Sequence, residues 1–158
     1  MAEDLQPYVP PYAHIIFCED IRHELNGQAT LVGMFRNHML KIPSPPPILF
    51  AQIAVIVQII VPKQDPLDSI QVNMKLGDQV IQEVRLAEEL RALLSNAETD
   101  DPDGSRRYLS LEMKAVPLQV SATGKLFVEV LLNGKHLNHS ALRFRFQEDG
   151  VKQPLLAE

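Results

Sequence analysis

Tryptophan is absent from this chain, and cysteine occurs once, at Cys18. One thiol excludes an intrachain disulfide, so any core must hold without a covalent staple, and nothing points to an oxidising compartment. Aromatic residues are 6% of the chain, and two of its three tyrosines, Tyr8 and Tyr12, lie near the start. Few rings are therefore left to stack on a sugar. Positive charge is also scarce: 15 Lys and Arg against 20 Asp and Glu leave a net charge of −5, and the densest basic cluster is Arg106-Arg107. A surface that tracks phosphates needs a basic face, so no nucleic acid is expected as partner. The seven glycines are scattered, with no phosphate loop, dinucleotide fingerprint or nucleophile elbow. No cofactor is expected. The longest apolar run, Ile48 to Val61, falls short of the roughly 20 residues of a membrane-spanning helix and is interrupted by Gln52 and Gln58. The opening Met1-Ala2-Glu3-Asp4 has acid where a secretory signal has base and an apolar stretch. A cytoplasmic protein without membrane contact is the expectation.

What is present is the material of a packed β domain. At 158 residues and 46% hydrophobic, the chain is long enough for one core. Prolines 7, 10 and 11 deny regular pairing, so residues 1–12 read as an extended arm, 13–147 as the single domain and 148–158 as a tail. A first strand is predicted over about 13–21, a hairpin turn at Asn26-Gly27 and a second strand over about 30–41. Pro43-Ser44-Pro45-Pro46-Pro47 forbids helix and ladder alike and reads as a stiff crossover between sheets. Ile48 to Val61 is rich in β-branched residues and apolar on both parities. It predicts a buried strand, bent or broken near its middle, whose second face something must cover. The alternations Ile70 to Leu76 and Val80 to Leu86 predict a hairpin, with a three-residue loop pairing Leu76 with Val80. Leu126 to Leu132 and Leu142 to Phe146 predict another around Asn133-Gly134, again with one extra residue in loop or bulge. A half-buried strand is expected over about 108–116.

One segment carries helical spacing. Apolar residues at 86, 90, 93, 94 and 97, among good helix formers, predict a short helix over 87–97. The acidic stretch after it, 99–105, reads as a surface loop. The fold class that follows is mainly all-β: a two-layer antiparallel β-sandwich, immunoglobulin-like or C2-like. A helix of that length shields only part of the 48–61 strand, so the chain is expected to self-associate as a homo-oligomer or to bind another protein.

The most suggestive polar cluster is Cys18, Asp20, Arg22 and Glu24, which share one side of a continuing strand. Its functional form is an enzyme site in which Cys18 needs a nearby base; its structural form is a buried cysteine beside an Asp20–Arg22 pair at a hairpin rim. The same stretch, Phe17-Cys18-x-Asp20-Ile21-Arg22-x-Glu24, with Gly27, Leu31, Gly33 and Phe35 behind it, resembles the opening signature of a family of small uncharacterised bacterial or prophage proteins. The resemblance implies a sandwich-like domain and no activity, cofactor or catalytic residue. Metal sites have little support. No histidine pair has strand or helix chelate spacing, and His136 and His139 fall on opposite strand faces unless a bulge intervenes. Asp65 and Asp68 with Asp101 and Asp103 form a weak loop-tip calcium set, beside the positive charge of Arg107. The function expected is a non-enzymatic structural or interaction module, with a loop-tip ligand- or calcium-binding sandwich as the alternative and the Cys18 enzyme after it.

Overall fold

The computed structural model describes residues 8–94 and 104–147. It is a sandwich built around β6, Ile53–Pro62, the β-branched half of the apolar run. β6 pairs antiparallel with β1, Tyr12–Cys18, on one side and with β9, Arg106–Ala115, on the other. Facing them is a five-stranded sheet in the order β4-β12-β11-β7-β8: Met39–Ile42, Lys135–Phe146, Gly124–Leu132, Ile70–Leu76 and Gln79–Leu86. Side chains alternate across a strand, so Ile53, Val55, Val57, Ile59 and Val61 all enter the space between the sheets. There they pack with Phe17, Val72, Met74, Leu126, Val128, Leu142 and Phe144 in the main core.

The other face of β6 is covered from within the chain. β2, Asp20–His23, and β3, Ala29–Val32, form a hairpin outside both sheets. Its Ile21 joins Cys18, Ala54 and Ile56 in a second small core, with Ile16 and Leu31 against it. Further along, His14, Gln58 and Ser110 stand side by side in register, and Gln58 is exposed. The Ala54–Ile56 part of the apolar face that argued for self-association is therefore covered by the chain itself, by a hairpin and not by the helix. The helix α1, Glu88–Leu94, sends Leu90 into the main core instead. The predicted positions 95–97 lie outside the described residues, as do the loop residues 99–103, the tail 148–158 and residues 1–7 of the arm.

Sheet order identifies the sandwich type. β1-β6-β9 against β12-β11-β7-β8 is the A-B-E and G-F-C-C′ arrangement of an immunoglobulin-like sandwich. The ladder is not wholly antiparallel: β4 runs parallel to β12, Met39 beside Arg143 through Ile42 beside Phe146. The predicted strand over 30–41 is thus two strands. The chain leaves β3 at Gly33, bonds its Phe35 N–H to the Phe17 carbonyl at 3.0 Å, and enters the opposite sheet as β4. The long apolar run also breaks, at Ala51-Gln52: β5, Ile48–Phe50, pairs with β10, Leu118–Val120, a strand that sequence alternation did not reveal.

Both long hairpins gain their extra residue as a bulge. Leu76 pairs with Gln79 across the two-residue turn Gly77-Asp78, and Gly77 at φ 58 takes the position that such a turn reserves for glycine. The register slips at Ile81, which restores Val72 opposite Val84. The expected three-residue loop is replaced because the extra residue sits inside the strand. In the last hairpin, Asn133 (φ 51) and Gly134 (φ 75) both adopt positive φ, and the slip falls at Leu137.

A seven-residue helix is too short to persist alone, so Leu90 is its anchor. Leu90→Ala is expected to lower unfolding stability by about 2–5 kcal/mol, read from urea denaturation. A loss below about 0.5 kcal/mol, typical of a surface change, would mean that the helix is not fastened to the core.

Candidate functional site

The Cys18 to Glu24 stretch does not fold as one continuing strand. The Glu19 N–H is shared between the carbonyls of Val32 (3.0 Å) and Gly33 (3.2 Å), and Glu19 stands outside both β1 and β2. That interruption resets the two-residue alternation. Cys18 and Ile21, three apart, face the same second core, whereas Asp20, Arg22 and Glu24 point outward. The four-residue cluster is consequently split. Cys18 is completely buried, and Glu24 accepts a bond from the Thr30 hydroxyl at 2.7 Å, at the far end of the hairpin. Arg22 stands 3.7 Å from Asp20 with most of its side chain in water, an arrangement of little energetic weight.

Asp20 is the centre of the remaining group. Its Oδ1 accepts from the Gln52 side-chain amide at 2.7 Å and from the Ile21 N–H at 2.9 Å, with Lys114 Nζ at 3.5 Å. Gln52 also donates to the Glu19 carbonyl at 3.2 Å. The two chain breaks, at Glu19 and at Ala51-Gln52, are thereby tied to one another. Gln52 was visible in the sequence only as a polar interruption of the apolar run. Lys114 gave no signal, because it is one of several polar residues on the outer side of β9.

The Gln52 hydrogen bond, the Ile21 N–H and the nearby Lys114 ammonium favour the ionised form of Asp20 and hold its pKa below the usual 3.8, against a partial burial that works the other way. Cys18 is shifted upward from 9.0, first by burial and then by the negative charge of Asp20. A thiol so placed is a weak nucleophile near neutral pH. The Asp20 carboxylate thus opposes the activation that a catalytic cysteine needs.

Where the breaks meet, the end of the sandwich carries an open, shallow cavity of about 440 Å³. Phe35, Leu40, Phe50 and Ile53 form its apolar wall, and Glu19, Asp20, Ala51 and Gln52 its remaining lining. Phe50 is braced by stacking on Phe144 at 5.8 Å. Gly33 underlies the lip: its φ of 64 suits glycine, and an added Cβ would come within 2.5 Å of the Glu19 carboxyl carbon. Each wall residue 35, 40 and 50 has an exposed apolar neighbour in sequence, Met34, Met39 and Leu49.

The loop-tip calcium set is not assembled among the described residues. Asp65 spends its carboxylate on the Tyr8 hydroxyl at 2.8 Å, and Asp68 is held through its backbone N–H to Asn133 at 2.8 Å. The Arg107 guanidinium donates to the carbonyls of Pro62 and Asp65, so the chain's own cation sits there. Asp101 and Asp103 lie outside the described residues. No group of three metal-ligating side chains occurs among the described residues.

Two measurements follow. Cys18 in the native protein is expected to resist a thiol reagent at pH 7–8 and to react fully once unfolded; rapid native labelling would contradict its burial. For Asp20 the folded pKa is depressed, so its contribution to stability is full above the unfolded value and lost as pH falls through the folded one. The stability gap between wild type and Asp20→Asn, from thermal melts, is expected to be largest near pH 6 and to shrink below pH 4. A gap constant across that range would show that the charge of Asp20 is not used.

No protein-family model matches the chain, and no curated protein matches it.

Proposed function

We propose that this chain is a non-catalytic protein-interaction module that takes an apolar side chain of a partner protein into the cavity at the β5–β6 end, with a basic residue of that partner against the acidic lip. The observation that carries the reading is the pairing of one aromatic-walled cavity with two carboxylates at its mouth. Phe35, Leu40, Phe50 and Ile53 offer apolar contact, and Glu19 and Asp20 put carboxylates beside it, that of Asp20 shared with the chain's own Lys114 at 3.5 Å and Arg22 at 3.7 Å. Asp20 is ionised at physiological pH, as an aspartate of ordinary pKa also is, and its hydrogen bonds from Gln52 and the Ile21 N–H favour that form further. The net charge of −5 favours encounter with a basic segment. Pockets that combine apolar walls with a few fixed polar groups are the usual form of a binding site.

The occupant proposed is a second protein and not another copy of this chain. Self-association was motivated by an open face of the apolar strand, and the β2–β3 hairpin covers the Ala54–Ile56 part of that face. The proposed kinship with small bacterial or prophage proteins fits the same region. Of the signature residues, Phe17 is in the main core, Cys18, Ile21 and Leu31 build the second core, Gly33 forms the lip and Phe35 lines the cavity. They describe how this end is built.

The test is a titration of isotope-labelled protein with N-acetyl-leucyl-arginine amide, and with the leucyl-glutamate analogue as control. Weak, saturable NMR shifts confined to residues 19–20, 35, 40 and 50–53 are expected, larger for the arginine peptide. Ala51→Trp, at an exposed lining position, is expected to abolish them with the melting temperature unchanged. No shift at millimolar peptide, or equal response to both peptides, would defeat the proposal.

A further inference from the structure

Outside this end, the feature that carries most is a pair of imidazoles on the outer face of the five-stranded sheet. His136 and His139 are three residues apart, which on a regular strand places them on opposite faces. The bulge at Leu137 cancels the mismatch: Leu131 pairs with His136, and Val130 already pairs with Asn138. With one residue absorbed, both rings emerge on the same side, and His136 Nε2 lies 3.1 Å from His139 Nδ1. The ring centroids are 5.2 Å apart.

The segment between them is anchored. Asn138 accepts from the His139 N–H at 2.8 Å and donates from its side chain to the Ala13 carbonyl on β1. The His139 ring also packs against Phe127, centroid to centroid 5.3 Å. Less side-chain freedom is then left to lose when a ligand joins the two rings.

We propose that His136 and His139 form a two-histidine chelate for a late first-row divalent ion, Zn²⁺, Ni²⁺ or Cu²⁺. The supporting argument is metric. Imidazole nitrogens bind zinc at about 2.0–2.1 Å, so two neighbouring ligands at angles of about 90–110° lie about 2.9–3.4 Å apart. The 3.1 Å between these nitrogens falls inside that interval. In the free protein the ring N–H of one histidine donates a hydrogen bond to the facing nitrogen of the other, in the direction its tautomer sets. On binding, that proton passes to the far nitrogen of its own ring, so both rings stay neutral and both facing lone pairs become available to the ion. Imidazole selects zinc, nickel and copper over calcium or magnesium. Glu129 is directly opposite His139 across the ladder, but its carboxylate is engaged by Lys75 at 3.4 Å. Water therefore completes the coordination, and the site is an open, exchangeable one.

The experiment is calorimetric titration of the full chain with ZnCl₂ and NiCl₂ near pH 7.5, followed by NMR of the histidine ring protons. One ion per chain is expected, with dissociation in the micromolar range and the ring signals of His136 and His139 moving together. His136→Ala and His139→Ala are each expected to weaken binding at least tenfold, while His14→Ala and His23→Ala leave it unchanged. Both tested histidines are exposed, and a thermal melt confirms that each variant is folded. Absence of saturable binding at millimolar ion, or equal affinity in all four variants, an adventitious ion only, would overturn the proposal.

Discussion

β6 must be buried on both faces, and most of this architecture is a consequence of that requirement. One face is met in the usual way, by a second sheet across a shared core. The other carries Ala54, Ile56 and Ile60, all buried, in the middle of a sheet only three strands wide. A regular sandwich leaves that side wet. Here the chain spends its residues 19–32 on a hairpin that folds back over Ala54 and Ile56, and it can do so only by leaving the plane of β1 at Glu19.

That departure sets the position of everything at this end. The break after Cys18 frees β2, and the break at Ala51-Gln52 lets β5 swing away to pair with β10. Two strands that separate from a sheet at the same end leave a gap between the layers, and the Phe35 crossing segment closes only part of it. The Asp20–Gln52 hydrogen bond spans the two breaks and prevents them from fraying independently. Cavity, lip and carboxylate are thus products of one packing problem. The larger core lies elsewhere, between the sheets, and this end adds the small second core and the polar ties around Asp20.

Sequence periodicity was a good guide wherever the period of two ran uninterrupted. Leu109, Met113 and Ala115 of β9 are buried while Tyr108, Ser110 and Lys114 face outward, as alternation predicts. The two-sided burial of Ile53 to Val61 was equally legible in composition, whereas the break expected near the middle of the run falls at Ala51-Gln52, where Gln52 interrupts the apolar residues. What was not legible is where the period resets. Nothing in Cys18-Glu19-Asp20 announces that Glu19 is skipped, because the reason is an N–H shared between two carbonyls, Val32 at the end of β3 and Gly33 just past it, more than ten residues away. β10 escaped notice because Leu118–Val120 is only three residues long, too short to show a pattern.

The same kind of reset explains why alternation assigned both sets of side chains to the wrong faces, in opposite directions, although Cys18 is the buried cysteine beside an Asp20–Arg22 pair that the sequence offered as the structural form. Parity placed Cys18 with Asp20 and Arg22, and the interruption at Glu19 separated them. Parity kept His136 from His139, and the bulge at Leu137 brought them to 3.1 Å. A bulge costs ladder hydrogen bonds, so it persists only where the register on either side compels it. In the last hairpin the compulsion is plain: the two-residue Asn133-Gly134 turn alone would direct Leu142 and Phe144 away from the face of Leu126 and Val128. One skipped residue restores all four to the core, and the imidazole pair is a by-product of that correction. Side-chain constellations at such resets follow from core registration, and they are to be sought one residue out of step with the pattern that the strand itself displays.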